Sequence, residues 1–114
     1  MKTAIYCFLV AGTAACVSRL PHPTETDVRV ASAQFDGVTL EELVAGRRAY
    51  VVSCAGCHNL YLPKARSPEA WPAIVAEMSA RGTVDTTRAR QIERYLVTMS
   101  TQASSNETSS SARP

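Results

Sequence analysis

The chain has 114 residues and a formal net charge of +2, from 12 basic and 10 acidic side chains. At that length, with an apolar leader and a polar tail, there is room for one small domain. The near balance of charge, with no basic run, argues against a nucleic-acid surface, and Arg47, Arg48, Arg88, Arg90 and Arg94 fit solvated helix faces.

In chain order, Met1 and Lys2 make a short positive start, and residues 4–15 form an apolar run of the length of a secretory leader, too short for a permanent bilayer span. Small residues at Thr13, Ala14 and Ala15 suit cleavage after Ala15, so residues 1–15 are expected to be a signal peptide. The stretch Thr13-Ala14-Ala15-Cys16 resembles a bacterial lipobox, with threonine where that family usually has leucine. The resemblance implies lipidation of Cys16, and Val17 in the next position implies sorting to the outer membrane. Several acyl chains at about 0.8 kcal/mol per buried methylene would hold the protein at a membrane. Cleavage to a soluble protein is the alternative.

Residues 16–37 are rich in Pro, Thr, Ser and charge and read as a lipid-anchored flexible linker. Within it, His22 is flanked by prolines and reads as solvated, and Phe35 is expected to cover a cofactor edge or to pack on the first helix. Thr39-Leu40-Glu41-Glu42 reads as a capping box, with a helix starting near Leu40 and Glu42 reaching back to the cap. Leu43, Gly46, Ala49, Tyr50 and Cys54 recur at helical spacing. Gly46 costs about 1 kcal/mol mid-helix relative to Ala, which suggests close approach of another helix.

That helix leads into Cys54-Ala55-Gly56-Cys57-His58, the attachment signature of a c-type haem. The two thiols would form thioethers with the porphyrin and His58 would be the proximal iron ligand. A zinc ribbon would want a second Cys/His pair, and a thioredoxin-like motif would want strands, so both are weaker readings. With Cys7 in the leader, Cys16 lipidated and Cys54 and Cys57 on haem c, no thiol is left for a disulfide. A core of this size is marginal, so the apo form is expected to fold poorly.

Gly46, Tyr50, Cys54, Cys57 and His58, together with Ile92-Glu93-Arg94-Tyr95-Leu96, stand in the order of the class I cytochrome c family, which residues 38–100 resemble. The resemblance implies an all-α, compact cytochrome c fold of three main helices around one covalent haem. It also implies a crossing of the first and last helices at Gly46 and Tyr95.

After the motif, Tyr61 and Leu62 are expected to pack on the porphyrin, and Pro63 either directs its carbonyl to the free nitrogen of His58 or simply shapes the loop. Ser67-Pro68-Glu69 starts a middle helix and Arg81-Gly82 stops it. Trp71, Ile74, Val75 and Met78 fall on one face. They are either an ordinary core stripe or a haem-facing wall, with Met78 as the distal ligand. Met99 is the competing methionine, and family order, in which the ligand precedes the last helix, favours Met78. The spacing from His58 to Met78 is shorter than in most class I cytochromes. The W-x-x-I-V-x-x-M helix also looks like the compact haem domains of quinohaemoprotein amine dehydrogenases.

Asp85 or Thr86 should cap the last helix, with Ala89, Ile92, Tyr95, Leu96 and Met99 facing inward. Residues 101–114 are low-complexity and read as a disordered polar tail. No acid–base pair or nucleophile site is evident, so an electron carrier is expected rather than an enzyme. It would be a periplasm-facing monohaem cytochrome passing single electrons between periplasmic or membrane redox proteins. The alternative is a haem enzyme subunit or gas sensor with an open sixth iron position.

Overall fold

The computed structural model describes residues 20–112. The expected signal peptide and the proposed lipidation at Cys16 lie outside the described residues. The chain is all-α, with four helices where three were expected: α1 (Glu25–Ala31), α2 (Leu40–Cys54), α3 (Trp71–Gly82) and α4 (Thr86–Ser111). Two 3₁₀ turns, Pro63–Ala65 and Pro68–Ala70, connect α2 to α3, and no strand occurs among the described residues. None of the described helices is long and apolar enough to cross a membrane.

Helix α4 is the central element, packed by α1, α2, α3 and both 3₁₀ turns. Its crossing with α2 is set by Gly46. A methyl group built there would collide with the Gln91 carbonyl oxygen and stand 2.9 Å from Tyr95 Cβ, so only glycine allows the backbones so close. The expected meeting of Gly46 with Tyr95 is therefore present. Around it Tyr50 and Ala49 of α2, Trp71 and Val75 of α3, and Ile92, Tyr95, Leu96 and Met99 of α4 form the main core. A smaller cluster joins Ala31, Val38 and Leu43, and Phe35 packs against both.

Thr39 caps α2 by accepting the Glu42 N–H at 3.2 Å, but Glu42 does not close the box. Its carboxylate turns to Arg94 of α4 at 2.8 Å, and the Arg94 guanidinium also lies 5.4 Å from the Phe35 ring centre. An interhelical charge pair, partly shielded from water, competes effectively with the local cap. Asp85 caps α4 as expected, accepting the Arg88 N–H at 3.0 Å. In the middle segment Pro68 opens a 3₁₀ turn, Ser67 makes no side-chain cap bond, and α3 proper starts at Trp71. The stop comes one residue later than Gly82, at Thr83, which takes the left-handed conformation (φ 54°).

Two segments expected to lack structure are helical. Inside the supposed linker, Leu20, 3% exposed, joins the main core, and Ala31 is fully buried. Distant polar groups hold the backbone there: Tyr95 Oη donates to the Pro21 carbonyl (2.9 Å) and Arg47 Nη2 to the Leu20 carbonyl (3.3 Å). Helix α1 begins at a local device, the buried Asp27 carboxylate, which accepts from both the N–H and the hydroxyl of Thr24 at 2.7 Å. Few apolar residues suffice because Leu20 joins the main core and Ala31, with Val28 and Phe35 against it, packs with Leu43 of α2.

The second such segment is the Ser/Thr-rich stretch after residue 100, where α4 runs on to Ser111. The hydroxyls of Thr101, Ser104, Ser105 and Thr108 donate to carbonyls four residues back at 2.9–3.1 Å, so they are satisfied on the helix itself.

Candidate functional site

Cys54 is the last residue of α2, and a turn over residues 55–57 carries the chain away from the helix end. Cys54 is half-buried against the main core and Cys57 is exposed; both thiols are free. Burial, and then the neighbouring Cys57, push the Cys54 thiol above its ordinary value.

His58 is exposed, and its Nδ1 lies 2.8 Å from the Asn59 carbonyl oxygen. A carbonyl can only accept, so this contact puts the proton on Nδ1 and leaves the Nε2 lone pair free for a ligand. The expected Pro63 contact is not made. Its carbonyl accepts instead from Trp71 Nε1 at 2.9 Å, because the indole is 2% exposed and its N–H needs a buried partner.

Two hydrogen bonds hold the loop that follows His58. Tyr50 Oη donates to the Tyr61 carbonyl (2.9 Å), and Trp71 holds Pro63 two residues on. Tyr61 is exposed, 5.7 Å from the His58 ring, with the Arg66 guanidinium 5.2 Å from its ring centre. Neither Asn59 nor the two loop-holding bonds has a sequence signal, since all three use backbone carbonyls.

The remaining expected site residues fall into three groups. Tyr50, Trp71 and Val75 are buried in the main core, and Leu62 and Ile74, like Cys54, are partly buried against it. Met78, one turn past Ile74, is 36% exposed and outside the core cluster. Met99 is packed into the core and lines a groove with Pro21, Lys64 and the Leu62–Pro63 part of the loop after His58. His22 is exposed.

No protein-family model, curated protein or solved structure matches this chain. The site must therefore be read from its own chemistry. Its donor set is two free thiols at a helix end and an imidazole with one nitrogen tied back. Val51, Cys54, Leu60 and Ile74 are each partly buried against the main core. Among the described residues no three His, Cys, Asp or Glu side chains converge to hold a metal ion directly. The set fits haem c, in which the thiols bond the porphyrin edge and only the imidazole reaches iron.

Burial raises the Tyr50 phenol from 10.0 to about 12, and Tyr95 moves the same way for the same reason. Each folded-state value lies above its unfolded one, so the unfolded chain loses these protons first. Stability should be unaffected by these two groups below about pH 10 and should fall as pH rises above it, the Tyr50 part being lost by about pH 12. Urea midpoints at pH 9 and 11 would check this, and Tyr50→Phe should flatten the decline.

Proposed function

We propose that the protein is an exported monohaem c-type cytochrome that carries single electrons between redox partners outside the cytoplasm. The observation that carries this reading is the motif geometry: free Cys54 and Cys57 at the end of α2, and His58 with Nδ1 tied to the Asn59 carbonyl and Nε2 free. The close α2–α4 crossing at Gly46 supports it.

In this reading Cys54 and Cys57 hold the haem covalently and His58 supplies the proximal nitrogen. The bound haem supplies a one-electron iron couple. The Asn59 carbonyl fixes the tautomer and orientation of His58 and strengthens its donation. The hydrogen bonds from Tyr50 and Trp71 hold the His58 loop against the core, so little rearrangement accompanies electron transfer. Leu62, Ile74, Val75, Trp71 and Tyr50 supply apolar packing, and Met78 is the proposed distal ligand. Attachment of this kind requires export, which fits residues 1–15 as a leader, and the lipobox-like Cys16 would place the protein at the outer membrane.

Expression with a c-type cytochrome maturation system tests the reading. One haem per chain should survive denaturing electrophoresis, and Cys54→Ala with Cys57→Ala should abolish it. A correctly exported chain without covalent haem would overturn the proposal.

The exposure of Met78 favours a second reading, a haem with an open sixth position that binds gases or substrates. A ferric charge-transfer band near the red edge that disappears in Met78→Ala supports the carrier. Rapid carbon monoxide binding by the reduced unaltered protein supports the open site.

A further inference from the structure

The distance between Cys16 and the folded core bears on how the domain sits at a membrane. A long swinging tether would require the chain to remain unattached up to about residue 37, but attachment begins at Leu20. Leu20 is buried, its carbonyl accepts from Arg47, and the next carbonyl accepts from Tyr95. Four peptide steps from Cys16 to Leu20 reach at most about 14 Å, whatever their conformation. Helix α4 alone, at 26 residues, is about 39 Å long. The link is too short for the domain to turn over.

A shallow groove of about 510 Å³ lies beside the point where the chain leaves toward Cys16. Pro21, Leu62, Pro63, Met99 and Ala103 form its apolar lining; Gln102, Asn106 and Asp27 also border it, the Asp27 carboxylate being engaged by Thr24. Exposed Lys64 stands at the rim, where an ammonium group can meet a lipid phosphate.

We propose that this groove face lies against the phospholipid headgroups, so that the domain rests on the membrane in one orientation. The inference depends on the lipid anchor at Cys16. It commits to a lipid surface because the link leaves from the groove's edge and is shorter than the domain.

The test uses the acylated, haem-loaded full chain in phosphatidylethanolamine/phosphatidylglycerol vesicles. With Cys54 and Cys57 in thioethers, a single new cysteine can carry a fluorophore. Asn106→Cys borders the groove, and Arg88→Cys lies on the same helix about 16 Å beyond Met99. Both positions are exposed. Energy transfer to a headgroup-labelled acceptor lipid is measured at each position, against vesicles without acceptor to cancel quenching by haem. At least twofold greater transfer from position 106 is expected. Equal transfer, or more from position 88, in acylated protein overturns the orientation while leaving the anchor intact. An N-terminal peptide without acyl mass overturns the anchor reading, and this inference with it.

Discussion

Gly46→Ala should destabilise the protein by about 2–3 kcal/mol, although alanine is the better helix former. The propensity gain is about 1 kcal/mol. Against it stands a methyl group placed on the Gln91 backbone carbonyl and within 2.9 Å of Tyr95 Cβ, where no flexible side-chain end can move aside. Relief requires α2 and α4 to separate; overpacking costs about 1–3 kcal/mol where neighbours can shift and more where they cannot, so about 3–4 kcal/mol less the propensity gain leaves about 2–3 kcal/mol. For a domain of this size the net loss lowers Tm by about 10 °C or more. Gly46→Val should be worse, through its second methyl group and its lower helix propensity.

Gly82→Ala supplies the contrast. Its methyl group would meet only Val84 Cγ2 at 3.7 Å, an ordinary contact, so stability should be unchanged or rise by up to about 1 kcal/mol. Thermal unfolding of the three variants checks the set. A Gly46→Ala protein as stable as its parent would mean that the two backbones do not approach as described.

Gly46 also shows what a sequence can disclose. A glycine costs stability in mid-helix, so its presence there announced a packing demand, and the partner at Tyr95 was legible from the order of motifs. The inward face of α4 and the Asp85 cap were legible from periodicity and residue type. What could not be read were contacts whose second member is far away in the chain and has no pattern of its own. Leu20 and Pro21 sit in a polar, proline-rich stretch, and only the Tyr95 hydroxyl and Arg47 guanidinium show why that stretch is held. Glu42 looked committed to its own cap, and the competing Arg94 lies on a different helix.

The Ser/Thr tail misled for a different reason. Low complexity signals weak tertiary packing, but hydroxyls that bond back to the helix carbonyls remove their competition with the backbone. At the candidate site the sequence pointed to Cys54, Cys57 and His58 by spacing alone. It gave no hint that His58 would use the Asn59 carbonyl, because every residue carries one.

Trp71 links the fold to the site, and Trp71→Ala should be the most damaging single core change in α3. Truncating an indole that is 2% exposed leaves a large cavity, worth about 3–5 kcal/mol, and orphans the Pro63 carbonyl as well. With total stabilities near 5–15 kcal/mol, that is a substantial share, and part of the population should unfold at moderate temperature. Trp71→Phe separates the two contributions. It keeps most of the apolar volume but removes the N–H donor, so the loss should be about 1–3 kcal/mol, as expected for a buried acceptor left unpaired.

The loop from Asn59 to Pro63 would then be held only by the Tyr50–Tyr61 bond. If Cys54 and Cys57 carry haem as proposed, Trp71→Phe leaves both untouched, so covalent haem content should not change. The grip on His58 should. A less restrained imidazole would leave the iron of a bound haem more easily, so the urea midpoint of the haem spectrum should fall below that of the helical signal. Tyr50→Phe should move it in the same direction, because it releases the other end of the same loop. Trp71→Phe and Tyr50→Phe proteins that lose stability but keep the haem and helical midpoints together would show that the two hydrogen bonds serve the core alone. A matched shift in both would make them positioning groups for His58.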